Sequence, residues 1–167
     1  VSPGWPELRV ALAHALRDAG RLEQAVLAYD RALELKPDYA AAALERAALA
    51  LELDQPGSAE ARLVELLERR PTWADAHALL GRARLQLGDT AGAETALRAA
   101  LELHPGFAAA RADLGETLLR SGRAEEAERE FSHALELDPC LPRLRELVAW
   151  RDLLFPAQEG QTGSSAG

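Results

Sequence analysis

A proline recurs at a constant spacing of 34 residues along most of the chain. These prolines are Pro3, Pro37, Pro71, Pro105 and Pro139. Two residues after each one stands a bulky side chain, at Trp5, Tyr39, Trp73, Phe107 and Leu141. A fixed period of this length is typical of stacked copies of one supersecondary unit, each of which contacts only its neighbours. The chain is therefore expected to fold as a repeat array.

Two helical patterns fit between successive prolines. Apolar residues recur with helical spacing in a first set of ranges, 7–19, 40–53, 74–87 and 108–121, and in a second set, 22–35, 56–69, 90–103 and 124–137. Gly20, Gly88 and Gly122 stand where the first helices need a left-handed C-terminal residue, and Asp54 takes that place in the second repeat. Because proline stops each second helix, the sequence predicts an all-α fold of helix pairs.

The low aromatic content favours a helical fold, and the net charge argues against nucleic acid as a partner. Aromatic residues make up only 5% of the chain, which favours helices over a sandwich or barrel. The net charge of −8 would repel nucleic-acid phosphates, so nucleic acid is not expected as a partner, whereas a basic or amphipathic protein is. Lys36 is the only lysine among 19 basic residues, a bias that we attribute to a GC-rich, bacterial genome.

The cysteine count and the hydropathy pattern indicate in which cellular compartment the protein is expected. Cys140 is the only cysteine, which excludes a disulfide within the chain and fits a reducing compartment without requiring one. No apolar run approaches the roughly 20 residues of a membrane helix, and no charged-then-apolar leader opens the chain. We therefore expect a cytoplasmic location without membrane insertion, with the periplasm as the alternative.

Small and large residues alternate in register in the predicted repeats. In the third repeat these residues are Leu80, Gly81, Ala93, Leu97, Ala100 and Pro105. The fourth carries Leu114, Gly115, Leu118, Ala127, Phe131, Ala134 and Pro139, and the first carries Leu12, Ala13, Leu16, Ala25, Tyr29, Ala32 and Pro37. With these residues the chain resembles the tetratricopeptide repeat family. The second repeat departs from the family pattern, since Arg46 takes the usual leucine place and Leu66 replaces the late alanine.

The resemblance implies a right-handed α-solenoid of antiparallel helix pairs. Four repeats would cover residues 6–139, with boundaries at 6–39, 40–73, 74–107 and 108–141. Residues 1–5 would be the remnant of a preceding repeat or a linker, 142–155 a C-terminal capping helix, and 156–167 a flexible tail. Without a visible N-terminal cap, the first helix could expose apolar surface, so a homo-oligomer formed through this end is one predicted assembly.

In this family the first helices line a concave groove, and the resemblance implies that ligands bind there. The corresponding residues are Val10, His14, Arg17, Leu44, Ala48, Leu51, Ala78, Arg82, Leu85, Ala112, Glu116 and Leu119. This largely apolar set suits an amphipathic helix or an extended apolar peptide, bound with about micromolar affinity. The alternative is that the capping helix or a neighbouring chain fills the groove.

Family members that bind the carboxylate terminus of heat-shock chaperones use lysine, asparagine and arginine in the groove. The corresponding places here carry Val10, His14, Glu45, Asp75 and Leu79. Two acidic side chains would repel a carboxylate, so this ligand is not expected.

The sequence offers no arrangement that predicts catalysis. The histidines have no metal-ligand spacing, Cys140 has no histidine nearby in sequence to activate it, and no phosphate-binding loop is present. We expect no catalytic residue, cofactor or metal, and predict a non-catalytic adaptor or scaffold that binds a protein or peptide. Two alternatives stay open: a regulatory or substrate-recruiting domain of a larger enzyme such as a transferase, and a structural self-association module.

Overall fold

The computed structural model describes residues 4–141, which form eight helices and no strand. The helices are α1 (Pro6–Asp18), α2 (Leu22–Leu35), α3 (Ala40–Glu52), α4 (Pro56–Arg69), α5 (Ala74–Leu87), α6 (Thr90–Leu103), α7 (Ala108–Arg120) and α8 (Ala124–Leu137). Every bound agrees with the sequence prediction to within one residue. The predicted capping helix at 142–155 and the tail at 156–167 lie outside the described residues, as do residues 1–3 of the predicted N-terminal remnant.

Each helix packs on the next one in the chain, and the first helices of neighbouring repeats also touch. Contacts link α3 with α5 and α5 with α7, in addition to every consecutive pair. The described residues therefore form the predicted α-solenoid, in which α3, α5 and α7 lie side by side on one face.

The turns inside the repeats have the predicted left-handed geometry. Gly20, Gly88 and Gly122 have φ values of 72°, 82° and 77°, and Asp54 has a φ of 55°. Aspartate is one of the few side chains that tolerate this region. The second repeat can therefore make the same turn without glycine, and Pro56 follows as the first residue of α4.

Small residues allow the two helices of a repeat to approach closely. Ala13, Ala47 and Gly81 on the first helices are buried against large side chains of the second helices. A Cβ built on Gly81 would lie 2.5 Å from Leu97 Cγ, closer than real atoms approach. The predicted alternation of small and large residues is thus confirmed, with one exception: Leu12 is 44% exposed, because no helix of the described residues packs on the outer side of α1.

The second repeat accommodates Arg46 with an ion pair. Arg46 is buried, and its Nε lies 3.2 Å from Asp30 Oδ1 across the contact between α3 and α2. Arg62 reaches the same oxygen at 3.3 Å, and Arg46 Nη1 lies 3.5 Å from Ser58 Oγ. A buried charge needs partners of this kind, so Asp30 is the residue that permits arginine at the leucine place.

Candidate peptide-binding groove

A cleft of about 450 Å³ opens on the face formed by the first helices. It is lined by residues of α3, α5 and α7 and by the turn before α7: Leu44, Glu45, Ala48, Asp75, Ala78, Leu79, Arg82, Phe107, Ala109, Ala110 and Asp113. Leucine, alanine and phenylalanine predominate, and four charged side chains are interspersed. A volume of this size, with a mixed lining, can receive a few side chains of a peptide.

The structure brings four of the predicted groove residues together in this cleft. Leu44 and Ala48 come from α3, and Ala78 and Arg82 from α5. The remaining surface residues of the predicted set lie outside the cleft on α1 and α7: Val10, His14, Arg17, Glu116 and Leu119. Whether any of these residues contacts a ligand stays a prediction.

Three residues of the predicted set are interior and do not line the cleft. Leu51, Leu85 and Ala112 are buried, with at most 7% of each exposed. Leu51 packs in a cluster with Leu80 of α5, and Ala112 packs with Ala134 of α8. The same place in other repeats lines the cleft, since Leu44 and Ala78 hold the place of Ala112, so burial here depends on the neighbouring helices and not on the repeat place alone.

Arg17 joins the first helices of the first two repeats. Its Nη1 lies 3.3 Å from Glu45 Oε2, and its Nη2 also donates to Glu52. Partial burial alone would lower the pKa of Arg17, but the hydrogen bond and the negative charge of Glu52 raise it overall. One guanidinium thus forms ion pairs with two carboxylates at this end of the groove.

Tyr29 lies beneath the same end of the groove. Its side chain is fully buried, and its ring packs edge-on against His14 with 5.9 Å between centroids. Burial, followed by the charge of Glu45, raises the pKa of the Tyr29 phenol to about 12. The phenol therefore stays neutral at physiological pH.

Arg82 and Asp113 form an ion pair in the wall of the cleft. Arg82 donates from Nε at 3.0 Å and from Nη2 at 2.9 Å to Asp113 Oδ2. The Asp113 side chain is only 2% exposed, and the ion pair with Arg82 stabilises its charge there. The pair links α5 to α7 and fixes the Arg82 side chain at the cleft.

The predicted set omits seven residues that line the cleft: Glu45, Asp75, Leu79, Phe107, Ala109, Ala110 and Asp113. Phe107 could have been found, because it is the bulky residue that follows Pro105 by two and so ends one repeat beside the next first helix. Asp113 is the sixth residue of its repeat, the place that Glu45 takes in the second repeat. Both residues line the cleft, so the sixth place of the repeat reaches it from α3 and from α7.

Residues 4–141 contain neither a metal-binding cluster nor a membrane-spanning helix. No group of three or more histidine, cysteine, aspartate or glutamate side chains there could hold a metal ion. None of the eight helices has both the length and the apolar character needed to cross a membrane.

A row of helix pairs with a cleft on one face defines a helical-repeat protein of the α-solenoid class. The family model "Tetratricopeptide repeat" matches residues 16–83 and 84–150. The chain therefore belongs to the tetratricopeptide repeat family, whose fold serves protein interaction and is generally non-catalytic.

Solved structures show the same architecture. TTC0263, a thermophilic protein of Thermus thermophilus, is 23% identical with a TM-score of 0.82, over 91% of this chain and 84% of that one. MamA of Desulfovibrio magneticus RS-1, from residue 41 to its end, is 26% identical with a TM-score of 0.74, over 82% of this chain and 77% of that one. No curated protein sequence matches the chain.

Proposed function

We propose that the chain is an adaptor that binds a segment of a partner protein, an amphipathic helix or an extended apolar peptide, in the groove of the first helices. The observation that carries this proposal is the cleft between α3, α5 and α7, where partly exposed Leu44, Leu79 and Phe107 surround a space of about 450 Å³. Apolar side chains left open to water in a concavity are typical of peptide-binding grooves.

A substitution that fills the cleft without removing core atoms tests this proposal. Peptides would be selected from a displayed library on the immobilised protein, and their affinities measured by calorimetry. Ala48→Arg places a long side chain in the cleft, because Ala48 lines it and is half-buried. We expect peptides of about micromolar affinity to lose at least about tenfold with this variant.

Ala61→Arg is the matched control, since Ala61 is an exposed alanine of α4 and does not line the cleft. It should bind the selected peptides with unchanged affinity. If Ala48→Arg, still fully helical by circular dichroism, binds as tightly as the control, the groove proposal is wrong and another face of the array holds the ligand.

Self-association is a second candidate, favoured by a separate observation. Trp5 and Leu8 at the start of α1 are 64% and 68% exposed, and Leu12 continues this apolar stripe. Grouped apolar exposure of this kind is common where proteins associate. Sedimentation equilibrium should detect dimers that Leu8→Arg removes and Leu27→Arg, on equally exposed Leu27 of α2, retains. A monomer at all concentrations would contradict this candidate.

A further inference from the structure

The charges in the cleft of α3, α5 and α7 do not balance. Three carboxylates line it, those of Glu45, Asp75 and Asp113, against the single guanidinium of Arg82. Arg82 is already engaged by Asp113, at 2.9 and 3.0 Å, and the low exposure of that aspartate keeps the pair together. Arg82 is therefore not available to compensate the other two carboxylates.

Glu45 has only a shared partner. It accepts a hydrogen bond from Arg17 at 3.3 Å, and the same guanidinium also donates to Glu52. The Glu45 side chain is 40% exposed, so it stays accessible from the cleft. One positive charge against two carboxylates leaves this end of the cleft negative.

Asp75 has a neutral partner. Its Oδ2 accepts a hydrogen bond from the Trp73 indole at 3.1 Å, and no cation of the described residues lies within ion-pair distance of it. Asp75 is exposed on the first turn of α5, one helical turn before Leu79. A full negative charge therefore stands beside an apolar side chain at the cleft.

From this charge pattern we propose that the segment bound in the groove is basic as well as apolar: an arginine or lysine stands one helical turn from a large apolar side chain. This inference rests on the proposed function. The apolar side chain occupies the space between Leu44, Leu79 and Phe107, and the cation lies against Glu45 and Asp75. An acidic segment is rejected, because the cleft would bring like charges together.

The probes are three capped amphipathic peptides that share one leucine face and differ at a single place, one turn away, which holds arginine, glutamine or glutamate. Their affinities would be measured by fluorescence anisotropy at low and at high salt. We expect the order arginine, then glutamine, then glutamate, with about threefold between neighbours and a smaller spread at high salt.

The double variant Glu45→Gln and Asp75→Asn should abolish this order, so that the three peptides bind with similar affinity. Its control is Glu68→Gln with Glu102→Gln, which changes the net charge equally at exposed positions of α4 and α6 outside the cleft. The control should preserve the order, because it leaves Glu45 and Asp75 intact. If overall charge alone attracted the basic peptide, the order would weaken equally in both variants.

The outcomes separate this inference from the function on which it rests. Equal binding of all three peptides, or an order that both double variants change alike, overturns the basic-ligand inference and leaves the groove as a site for apolar segments. Failure of all three peptides to bind contradicts the groove function itself.

Discussion

Arg46 shows how one residue departs from the family pattern without disrupting the fold. It is buried where leucine is usual, and Asp30 of the neighbouring helix neutralises it. The pair takes the Arg46 guanidinium out of water beside a partly exposed Asp30, which costs free energy that a leucine would not require. Its presence is thus a tolerated solution rather than a requirement of the repeat.

Two substitutions test this interpretation. Asp30→Ala should lower the free energy of unfolding by about 2 kcal/mol, because it leaves Arg46 buried with a long hydrogen bond to Ser58 Oγ in place of the ion pair. Arg46→Leu should leave the free energy of unfolding unchanged or raise it by about 1 kcal/mol. Urea denaturation followed by circular dichroism measures both. A larger loss for Arg46→Leu than for Asp30→Ala would show that the arginine itself supports the packing.

Tyr29 gives a prediction for alkaline pH. Its pKa is about 12 in the folded protein against 10.0 ordinarily, so above pH 10 the unfolded chain loses its proton first. The free energy of unfolding is therefore not reduced by ionisation of Tyr29 below pH 10, and it declines as the pH rises toward 12. Absorbance titration in a Tyr39→Phe background should show one phenol ionising near pH 12, and a transition near pH 10 would contradict the raised pKa.

Tyr29→Phe is the partner experiment. The Tyr29 hydroxyl is buried and has no hydrogen-bond partner among the described residues. Removing it should leave the free energy of unfolding at neutral pH unchanged or raise it by about 1 kcal/mol. The free energy of unfolding of the variant should also decline less between pH 10 and 12 than that of the natural protein. A clear loss of stability at neutral pH would indicate a partner for the hydroxyl, such as a bound water.

At the scale of elements, the close approach of paired helices decides which glycines can change. Gly81→Ala should destabilise the protein by about 1 kcal/mol, because the new methyl group collides with Leu97 of α6 and this outweighs the better helix propensity of alanine. Gly57→Ala is the control, since no atom lies within 4 Å of its added Cβ, and it should stabilise by roughly 0.5 kcal/mol. Thermal denaturation of both variants tests the pair, and equal shifts would show that α5 and α6 can separate freely.

At the scale of the whole molecule, stability should vary along the array. The central helix α5 contacts α3, α4, α6 and α7, whereas α1 leaves Leu8 and Leu12 exposed. In a linear array each repeat depends on its neighbours, so amide hydrogens of α5 should exchange at least about tenfold more slowly than those of α1. Hydrogen exchange measured by mass spectrometry resolves this difference. Uniform exchange would mean that the array unfolds as one cooperative unit.

The fold of the described residues could be predicted from local patterns in the sequence. The proline period, the left-handed positions at Gly88 and Asp54, and the alternation of small and large residues are local signals, and they predicted every helix to within one residue. Local signals suffice here because each helix packs mainly on its neighbours in the chain.

The residues that line the cleft could not all be predicted in this way, because they depend on contacts between helices. Leu51 and Leu85 share the register of surface residues but are buried, and Asp113 reaches the cleft from a place that the predicted set did not include. The partners of Arg46 and Arg82 likewise come from other helices. Period and register fix where a residue lies on its own helix, whereas exposure and charge balance depend on the side chains that neighbouring helices bring beside it.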